Sequence, residues 1–561
     1  MELIVQLRAP ASAQELERVL GDPLSREAPI SFGKLVAHDE REEAPSEAFE
    51  ALRQWGVHAH LVPQALGGRL TSFEELLALV RVVSRRDLVL TTGLGSTMLA
   101  AIPVWAWGDA DQRGQLADML LNAGAFGSFA ASEREAGSDF QATATQADAV
   151  AGGYVLSGEK WLIGNASRSS FVVALVRTRP SLSLLFFRPD RLAKDRWRRL
   201  PRILTHGLRG HDMGGMVFEG CPLPAQALLG RIGRGMEMTL TTLLYTRTMI
   251  GGMALGAADT ALRLALRWGR DRRLYGEPIL AIPAVRALLL GSFLDILIAE
   301  CIAIVTARAL TLAPRRTSLW AAVTKYLVPL LSERVVRDTS VVLSARSYLR
   351  EGIADGIFQK IVRDVAITSI FEGTQLVQLS LIAAQLGHMM RGVHRDDDPV
   401  DLDRLCDLGA PAPTWDYSRT VLHISNPGGD ELVERWFGPE SRPEDLGADA
   451  RATSAIRALR DQAVALRSAM TSSAGTDPSL ARRHCILHAA ACCIQLWRTN
   501  RDRLATEAAE GEWLTLCLER LAAGGESGPC GADLTGPVCD WMLGQLERNE
   551  LFSIVPLELA R

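Results

Sequence analysis

The chain has 561 residues, of which 48% are apolar, so it is long enough for roughly three or four domain-sized units with large cores. Its net charge is only −4. No basic stripe suggests a nucleic-acid partner, and the overall balance of charge does not suggest attachment to a membrane surface.

Residues 1–124 predict an N-terminal helical domain, although residues 1–40 show no clear period. The uncharged stretch Leu88–Gly108 is long enough to raise the question of a membrane span. Its polar residues and central Pro103 favour a pair of buried helices in a soluble core. The apolar run Leu3–Leu7 is too short for a signal peptide, so we expect a cytoplasmic protein.

The pattern changes along the rest of the chain. Residues 125–230 have short apolar runs between turn-forming clusters and predict a small middle β domain. Residues 231–392 return to long helices. A linker rich in Asp, Pro and Gly covers 391–413, and a helical extension covers 414–561. We therefore expect an α+β fold that is mainly helical. Small residues on one helical stripe predict close helix packing; the stripe consists of Met249, Met253, Gly256, Thr260 and Leu264.

Common cofactor and catalytic signatures are absent from the sequence, including the Rossmann fingerprint, the P-loop, H-E-x-x-H and G-x-S-x-G. The nine cysteines form no C-x-x-C motif, which indicates reduced thiols in the core. His484 and His488 are four residues apart, but carboxylates are lacking nearby in the sequence. We interpret them as a hydrogen-bonded or exposed pair and expect no metal site.

Five segments have residue types that are typical of ligand or catalytic sites. Each has an ordinary structural interpretation when taken alone: a turn, a hairpin strand, a solvated helix end or a helix start capped by Thr374. The segments are Ser132–Asp139, Ser157–Ala166, Gly207–Gly210, Arg270–Pro278 and Ile370–Gln375.

Taken together, in this order and across this helix–strand–helix pattern, the segments resemble the acyl-CoA dehydrogenase family. The resemblance covers about residues 45–390 and includes Val62-Pro63 with Gly67-Gly68 near its start. It implies an enzyme that removes hydrogen from the α and β carbons of an acyl thioester, with the acyl chain held by coenzyme A or by a carrier protein.

The resemblance also implies how the reaction proceeds. Glu372 of the F-E-G-T segment would abstract the α proton, and its own N–H would bind the thioester carbonyl. Some relatives carry the base just before an arginine of a third-domain helix. That position is Thr246 here, beside Arg247, and threonine cannot serve as the base. The residues expected to contact substrate are Arg247, Phe371 and Gly373.

FAD is the implied cofactor, accepting the β hydrogen as a hydride. Ser132 matches a hydroxyl that bonds the flavin ring, and Ser138 matches a serine near the pyrophosphate. Arg272, with Tyr275 beside it, would reach the cofactor of a neighbouring subunit. Thr374 completes the expected cofactor contacts.

The sequence departs from the family pattern at several cofactor positions. Leu162 and Gly164 stand where relatives have an aromatic ring over the flavin edge and a hydroxyl near flavin N5. Pro283 replaces a common glutamine. The glycine-rich segment of the family reads Ala345–Glu351 here, where Arg346 could replace some of the lost phosphate contacts.

The resemblance implies a homodimer or a dimer of dimers, and an electron acceptor such as an electron-transfer flavoprotein. Two alternatives remain open. The weaker shielding at Leu162 and Gly164 could admit oxygen to a flavin oxidase or monooxygenase, and the altered cofactor segments could belong to a catalytically silent binding or scaffold protein. The C-terminal extension resembles the second helical bundle of some long-chain members, or it covers apolar surface on the main body.

Overall fold

The computed structural model confirms the expected fold class, with helices, then a β domain, then long helices, then further helices. It describes residues 7–390, 399–420, 422–426, 428–441, 450–472, 477–525 and 536–561. The first part of the expected linker, residues 391–398, lies outside the described residues. The later part is not wholly irregular, because a short helix begins at Leu402.

The N-terminal region contains six α-helices: α1 Ala11–Leu20, α2 Phe32–Glu40, α3 Ser46–Trp55, α4 Phe73–Ser84, α5 Leu88–Trp107 and α6 Ala110–Ala123. The first two fall in the part of the expected helical domain where the sequence showed no clear period. Helix α1 buries Ala13, Leu16 and Leu20, which is one helical face with a spacing of three and four residues. The helix is too short for this period to stand out.

Helix α5 is one continuous helix, so the expected helix pair is wrong. The side chain of Asp87 accepts a hydrogen bond from Val89 N and caps its start, and Pro103 lies within it. The expectation that this stretch is buried is confirmed. Only Gly95, Ser96 and Leu99 interrupt the burial of its central turns.

The middle of the chain forms an eight-stranded sheet in the order β6-β7-β3-β2-β4-β5-β8, with β1 parallel to β4. The strands are β1 Gly127–Ala130, β2 Gln146–Val150, β3 Gly153–Gly164, β4 Phe171–Thr178, β5 Ser181–Phe187, β6 Trp197–Leu200, β7 Met213–Pro224 and β8 Leu228–Leu229. Alternate residues of β4 face different cores. Val172 lies in the core of the β domain, whereas Val173 packs into the helical core.

The third region is built on three long helices, which are followed by three shorter ones. They are α7 Gly235–Asp271, α8 Pro283–Leu312, α9 Thr317–Leu343, α10 Ile357–Asp364, α11 Ile367–Ile370 and α12 Gln375–Met390. A small hairpin of β9 Arg273–Leu274 and β10 Glu277–Pro278 separates α7 from α8. The small-residue stripe of α7 packs within the chain, because a Cβ at Gly256 would lie 2.7 Å from the backbone oxygen of Arg81 at the end of α4.

Among the residues that the structure describes, four helical stretches are apolar and long enough to cross a membrane by length and composition, and these are Leu88–Trp107, Gly235–Asp271, Pro283–Leu312 and Ile353–Gly387. In the first three, between 83% and 100% of the most apolar window is buried inside the protein. These three helices therefore form the helical core.

The extension adds helices α13 Leu402–Cys406, α14 Glu431–Phe437, α15 Ala450–Ser472, α16 Pro478–Asn500, α17 Thr506–Ala509, α18 Glu512–Ala522 and α19 Pro537–Glu547. Helices α16 and α18 pack on α8. Before them, the Trp415 ring lies 5.1 Å from Phe73 and 5.5 Å from Tyr245, measured between ring centroids. The extension thus covers apolar surface of the main body, as one of the two interpretations predicted.

Candidate active site

Glu372 lies in the short break between α11 and α12, in a left-handed backbone conformation with φ +58°. Non-glycine residues rarely adopt this conformation, and those that do cluster at functional sites. Gly373 follows with φ +100°, and a Cβ there would lie 2.6 Å from Nε2 of Gln378. Thr374 is exposed, and its hydroxyl accepts a 3.5 Å hydrogen bond from Val377 N in the first turn of α12.

Two neighbouring residues of α7 hold Glu372. The hydroxyl of Thr246 donates a hydrogen bond of 2.5 Å to Oε2 of Glu372. The guanidinium Nε of Arg247 donates one of 3.0 Å to the backbone oxygen of Glu372. The side chain and the backbone of Glu372 are therefore fixed from the same turn of one buried helix.

Lys325 of α9 contacts the residues that immediately precede Glu372 in the chain. Its side chain is buried, and Nζ donates a 2.5 Å hydrogen bond to the backbone oxygen of Thr368. Nζ also lies 5.5 Å from the ring centroid of Phe371. The buried ammonium group of Lys325 thus holds Thr368 and Phe371 in place just before Glu372.

The electrostatic environment of Glu372 suits proton transfer. Although the residue as a whole is partly exposed, burial of its carboxyl raises its pKa above the ordinary value. The hydrogen bond from Thr246 and the charges of Lys325 and Arg247 act in the opposite direction. Burial in turn lowers the pKa of Lys325 to about 8. A carboxylate whose pKa is raised toward neutrality can act as a general base at physiological pH.

The loop after β1 contains Ser132 and Ser138, the first half-exposed and the second exposed. The loop is anchored to β3 at two points. Trp161 N donates to the backbone oxygen of Ser132 at 3.0 Å, and the buried Nζ of Lys160 lies 2.7 Å from Oε1 of Glu133. The exposed residues of this loop are therefore held in fixed positions by their neighbours on β3.

The end of β3 carries two of the positions at which the sequence departs from the family pattern. Leu162 has φ +58° at a bulge in the pairing with β7 and is 43% exposed. Gly164 faces α5, where a Cβ would collide with the hydroxyl of Ser96 and lie 3.2 Å from Nε2 of His211. Both ring nitrogens of the buried His211 are without a hydrogen-bond partner in the described part of the chain. The space expected to be open at Gly164 is therefore occupied by a hydroxyl from another helix.

Arg272, Tyr275 and Arg346 are not brought to Glu372. Arg272 and Tyr275 lie exposed at the far end of α7, about 38 Å along the helix from Arg247 at 1.5 Å per residue. Arg346 lies near them, because its guanidinium carbon is 4.5 Å from the ring centroid of Trp268 in the last turns of α7. These residues form a separate exposed cluster.

Several residues close to the site were missed by sequence reasoning. Thr246 was considered only as a residue that cannot serve as the base, although its neighbour Arg247 was expected in the site. Ser96 and Lys325 had no motif to identify them, because each meets the site from a distant part of the chain. Lys325 had one weak signal, since it is among only five lysines in the sequence.

His484 and His488 form hydrogen bonds, as one of their two interpretations predicted, but their partner is distant in the chain. Both are buried in α16, and both face the buried carboxylate of Asp430 at the start of α14. The missing carboxylate is thus present, but it comes from more than fifty residues earlier in the chain and is invisible to a search of nearby positions.

Three family models match the chain in the order of its domains. The "Acyl-CoA dehydrogenase, N-terminal domain" model matches residues 34–122, the "middle domain" model 128–221 and the "C-terminal domain" model 233–387. Together they cover more than half of the chain, including every segment that carries the resemblance.

The similar proteins are also named acyl-CoA dehydrogenases. The chain is 27% identical to "Probable acyl-CoA dehydrogenase FadE25" of Mycobacterium tuberculosis over 62% of its own length and 89% of that protein. It is 27% identical to the short-chain specific acyl-CoA dehydrogenase of Sus scrofa mitochondria, over 63% and 84% of the two chains. The fold matches that of an acyl-CoA dehydrogenase complexed with FAD from Bacillus anthracis, with a TM-score of 0.73, 15% identity and coverage of 98% and 97% of the two chains.

Proposed function

Because this chain belongs to the acyl-CoA dehydrogenase family, we propose that it removes one hydrogen each from the α and β carbons of an acyl thioester, with Glu372 as the base. The observation that carries this proposal is the way in which neighbouring residues position Glu372. Its carboxylate is hydrogen-bonded by Thr246, its backbone is bonded by Arg247, and burial raises its pKa.

The proposed step begins when the acyl chain displaces water from the Glu372 carboxylate. Desolvation raises the pKa of the carboxyl further and makes it a better proton acceptor. We assign the Glu372 N–H as the donor to the thioester carbonyl oxygen, where hydrogen bonding acidifies the α carbon. The thioester would lie against Arg247, Phe371 and Gly373.

FAD is the proposed cofactor, and it supplies the acceptor for the β hydrogen as a hydride. The residues around the end of β3 fit a planar ring with polar edges. A Cβ at Gly95 would meet nothing within 4 Å, and Leu162 faces open space, whereas Ser96 and His211 supply polar atoms beside Gly164. We assign Ser132 to the ring and Ser138 to the pyrophosphate, with Thr374 at the edge of the same site.

The Ser96 hydroxyl bears on the alternative oxidase or monooxygenase function. The loss of a side chain at Gly164 suggested an opening through which oxygen could enter. The hydroxyl of Ser96 takes up that space, and we propose that it supplies the polar group near flavin N5 that Gly164 lacks. The retention of Glu372 next to Thr246 likewise favours dehydrogenation.

We further propose that the site is completed by a second copy of the chain. Arg272, Tyr275 and Arg346 are exposed and far along α7 from Glu372 of their own chain. Tyr275 is fully exposed, as is most of Tyr348. Exposed aromatic and arginine side chains are enriched at protein interfaces. A dimer would place the Arg272 cluster against the cofactor of the partner, with an electron-transfer flavoprotein as the final acceptor.

Anaerobic reduction of bound FAD by acyl thioesters tests the function. We expect acyl-CoA esters of suitable chain length, or the same acyl groups on a phosphopantetheine carrier, to bleach the flavin absorbance. Glu372→Gln keeps the size and hydrogen bonding of the side chain but cannot accept the proton, and should slow reduction by about 10²–10⁴-fold. Its FAD content and thioester binding should be unchanged.

Two outcomes would contradict the proposal. Intact protein that remains colourless after incubation with excess FAD would support the catalytically silent alternative. A Glu372→Gln variant that is reduced at the normal rate would place the base elsewhere.

A further inference from the structure

A buried cluster in the C-terminal extension joins two histidines and one aspartate. His484 and His488 are one turn apart in α16, and Asp430 is the N-cap residue of α14. Nε2 of His484 lies 3.0 Å from Oδ2 of Asp430, and Nδ1 of His488 lies 2.8 Å from the same oxygen. Their exposed fractions are 3%, 0% and 1% respectively.

The backbone sets this convergence. Oδ1 of Asp430 accepts a hydrogen bond from Val433 N and caps α14, which turns Oδ2 toward α16. Residues four apart on a helix share one face, so both imidazoles point at Oδ2. The His488 ring lies 5.5 Å from the ring of Trp320 in α9, measured between centroids. The cluster therefore lies where the extension meets the main body.

Hydrogen bonding alone leaves a neutral His488 unsatisfied. A neutral imidazole has one N–H. If His488 uses it toward Asp430, its Nε2 is a buried acceptor without a donor, because no described residue is its hydrogen-bond partner. If Nε2 carries the hydrogen, it can point at the Trp320 ring as a weak acceptor. A bare Nδ1 then faces a carboxylate oxygen at 2.8 Å, and a cation between the two atoms relieves that repulsion.

We propose that Asp430, His484 and His488 bind a zinc ion. Two neutral imidazole nitrogens and one carboxylate oxygen are ligands that zinc prefers, and a single ion serves all three donor atoms. These atoms all lie within 4.8 Å of one another. Tetrahedral zinc with bonds of about 2.0–2.1 Å places its ligands roughly 3.4 Å apart, so each of the two nitrogen–oxygen distances needs to increase by only about half an ångström.

The role of this ion is structural. All three protein ligands are buried, which leaves no path for a substrate, and a buried water molecule would complete the tetrahedron as the fourth ligand. The ion would tie α14 to α16, while His488 rests on Trp320 of α9. Five residues further along α9, Lys325 holds the loop before Glu372. The zinc site would thus fasten the extension to the helix that supports the proposed catalytic loop.

Metal analysis of untagged, full-length protein tests the proposal. We expect one zinc ion per chain by elemental mass spectrometry of the purified holoprotein. Asp430→Asn keeps a helix-capping side chain but weakens the ligand, and together with His488→Gln it should abolish the bound zinc. His206 is exposed, so His206→Gln is the matched control and should retain the metal.

A second measurement serves if the variants fold poorly. Protein produced in cobalt-supplemented medium should show the ligand-field absorption of tetrahedral cobalt at longer wavelength than the oxidised flavin bands. Wild-type protein that contains no zinc and takes up neither zinc nor cobalt would overturn the proposal and leave a hydrogen-bonded triad. Metal that persists in folded Asp430→Asn and His488→Gln variants would place the site elsewhere and overturn it as well.

Discussion

The hydroxyl of Thr246 can tune the pKa of the proposed base, Glu372, without accepting the proton itself. Its hydrogen bond to Oε2 of Glu372 favours the charged form of the carboxyl and lowers its pKa, against burial, which raises it. Glu372 acts as a base only when it is deprotonated. Flavin reduction should therefore be complete above its pKa and be lost as the pH falls through that value.

Replacing Thr246 with Val removes the hydroxyl and keeps the branched shape of the side chain. The pKa of Glu372 should rise further, so the acidic limb of the pH profile for flavin reduction should move to higher pH. Thr246→Ser keeps the hydroxyl and is the matched control. Rapid-mixing kinetics across the pH range measure both variants. A Thr246→Val profile that coincides with the wild type would show that this hydrogen bond does not act on the base.

Helix α7 connects the region of the proposed base to the N-terminal domain, and Gly256 is one of the glycines at which it packs closely on α4. A Cβ at Gly256 would lie 2.6 Å from Cβ of Ser84 and 2.7 Å from the backbone nitrogen of Arg85. Backbone atoms cannot give way as a flexible side chain can. Close helix packing of this kind is what the small-residue stripe predicted, and the structure shows it within one chain.

Gly256→Ala should therefore destabilise the protein despite the better helix propensity of alanine. Overpacking typically costs about 1–3 kcal/mol, whereas alanine gains up to about 1 kcal/mol over glycine in a helix. A Cβ at Gly114 in α6 would meet nothing within 4 Å, so Gly114→Ala is the control and should raise the melting temperature. Thermal unfolding measures both variants. Equal increases in the two would contradict the tight contact at Gly256.

At the scale of the whole molecule, the separation of Arg272 from Glu372 predicts complementation between subunits. If Arg272 serves the partner's cofactor, a subunit with Arg272→Gln impairs its partner, and a subunit with Glu372→Gln is inactive itself. A mixed dimer then contains one site with both residues intact. Unfolding and refolding the two inactive variants together should restore part of the activity.

The controls for complementation are each variant refolded alone, which should remain nearly inactive. Mass measurement by light scattering should show a dimer or a dimer of dimers in every sample. Absence of any recovery in mixed, correctly assembled protein would mean that Arg272 acts within its own chain or not at the cofactor. A monomer that is fully loaded with FAD would exclude the shared site altogether.

The sequence by itself determined the family, the order of helical and β regions, and Glu372 as the candidate base. These features are local: short motifs such as F-E-G-T keep their spacing in the chain, and the alternation of apolar residues reports the type of each element. It did not resolve α1 and α2 within the expected helical domain, because helices of ten and nine residues contain too few turns for a period to stand out. The prediction of two helices in place of α5 was also wrong. Pro103 suggested a break between two helices, but it lies within one continuous buried helix.

Only the tertiary structure decided which distant residues meet. Ser96 of α5 fills the space beside Gly164, Lys325 of α9 supports the loop before Glu372, and Asp430 of α14 completes the pair of histidines in α16. No pattern along the chain encodes these encounters, because each depends on how separate elements pack. The same packing desolvates the Glu372 carboxyl and so raises its pKa. Motifs therefore identified the proposed base, whereas its environment and its supporting residues follow from the folded chain.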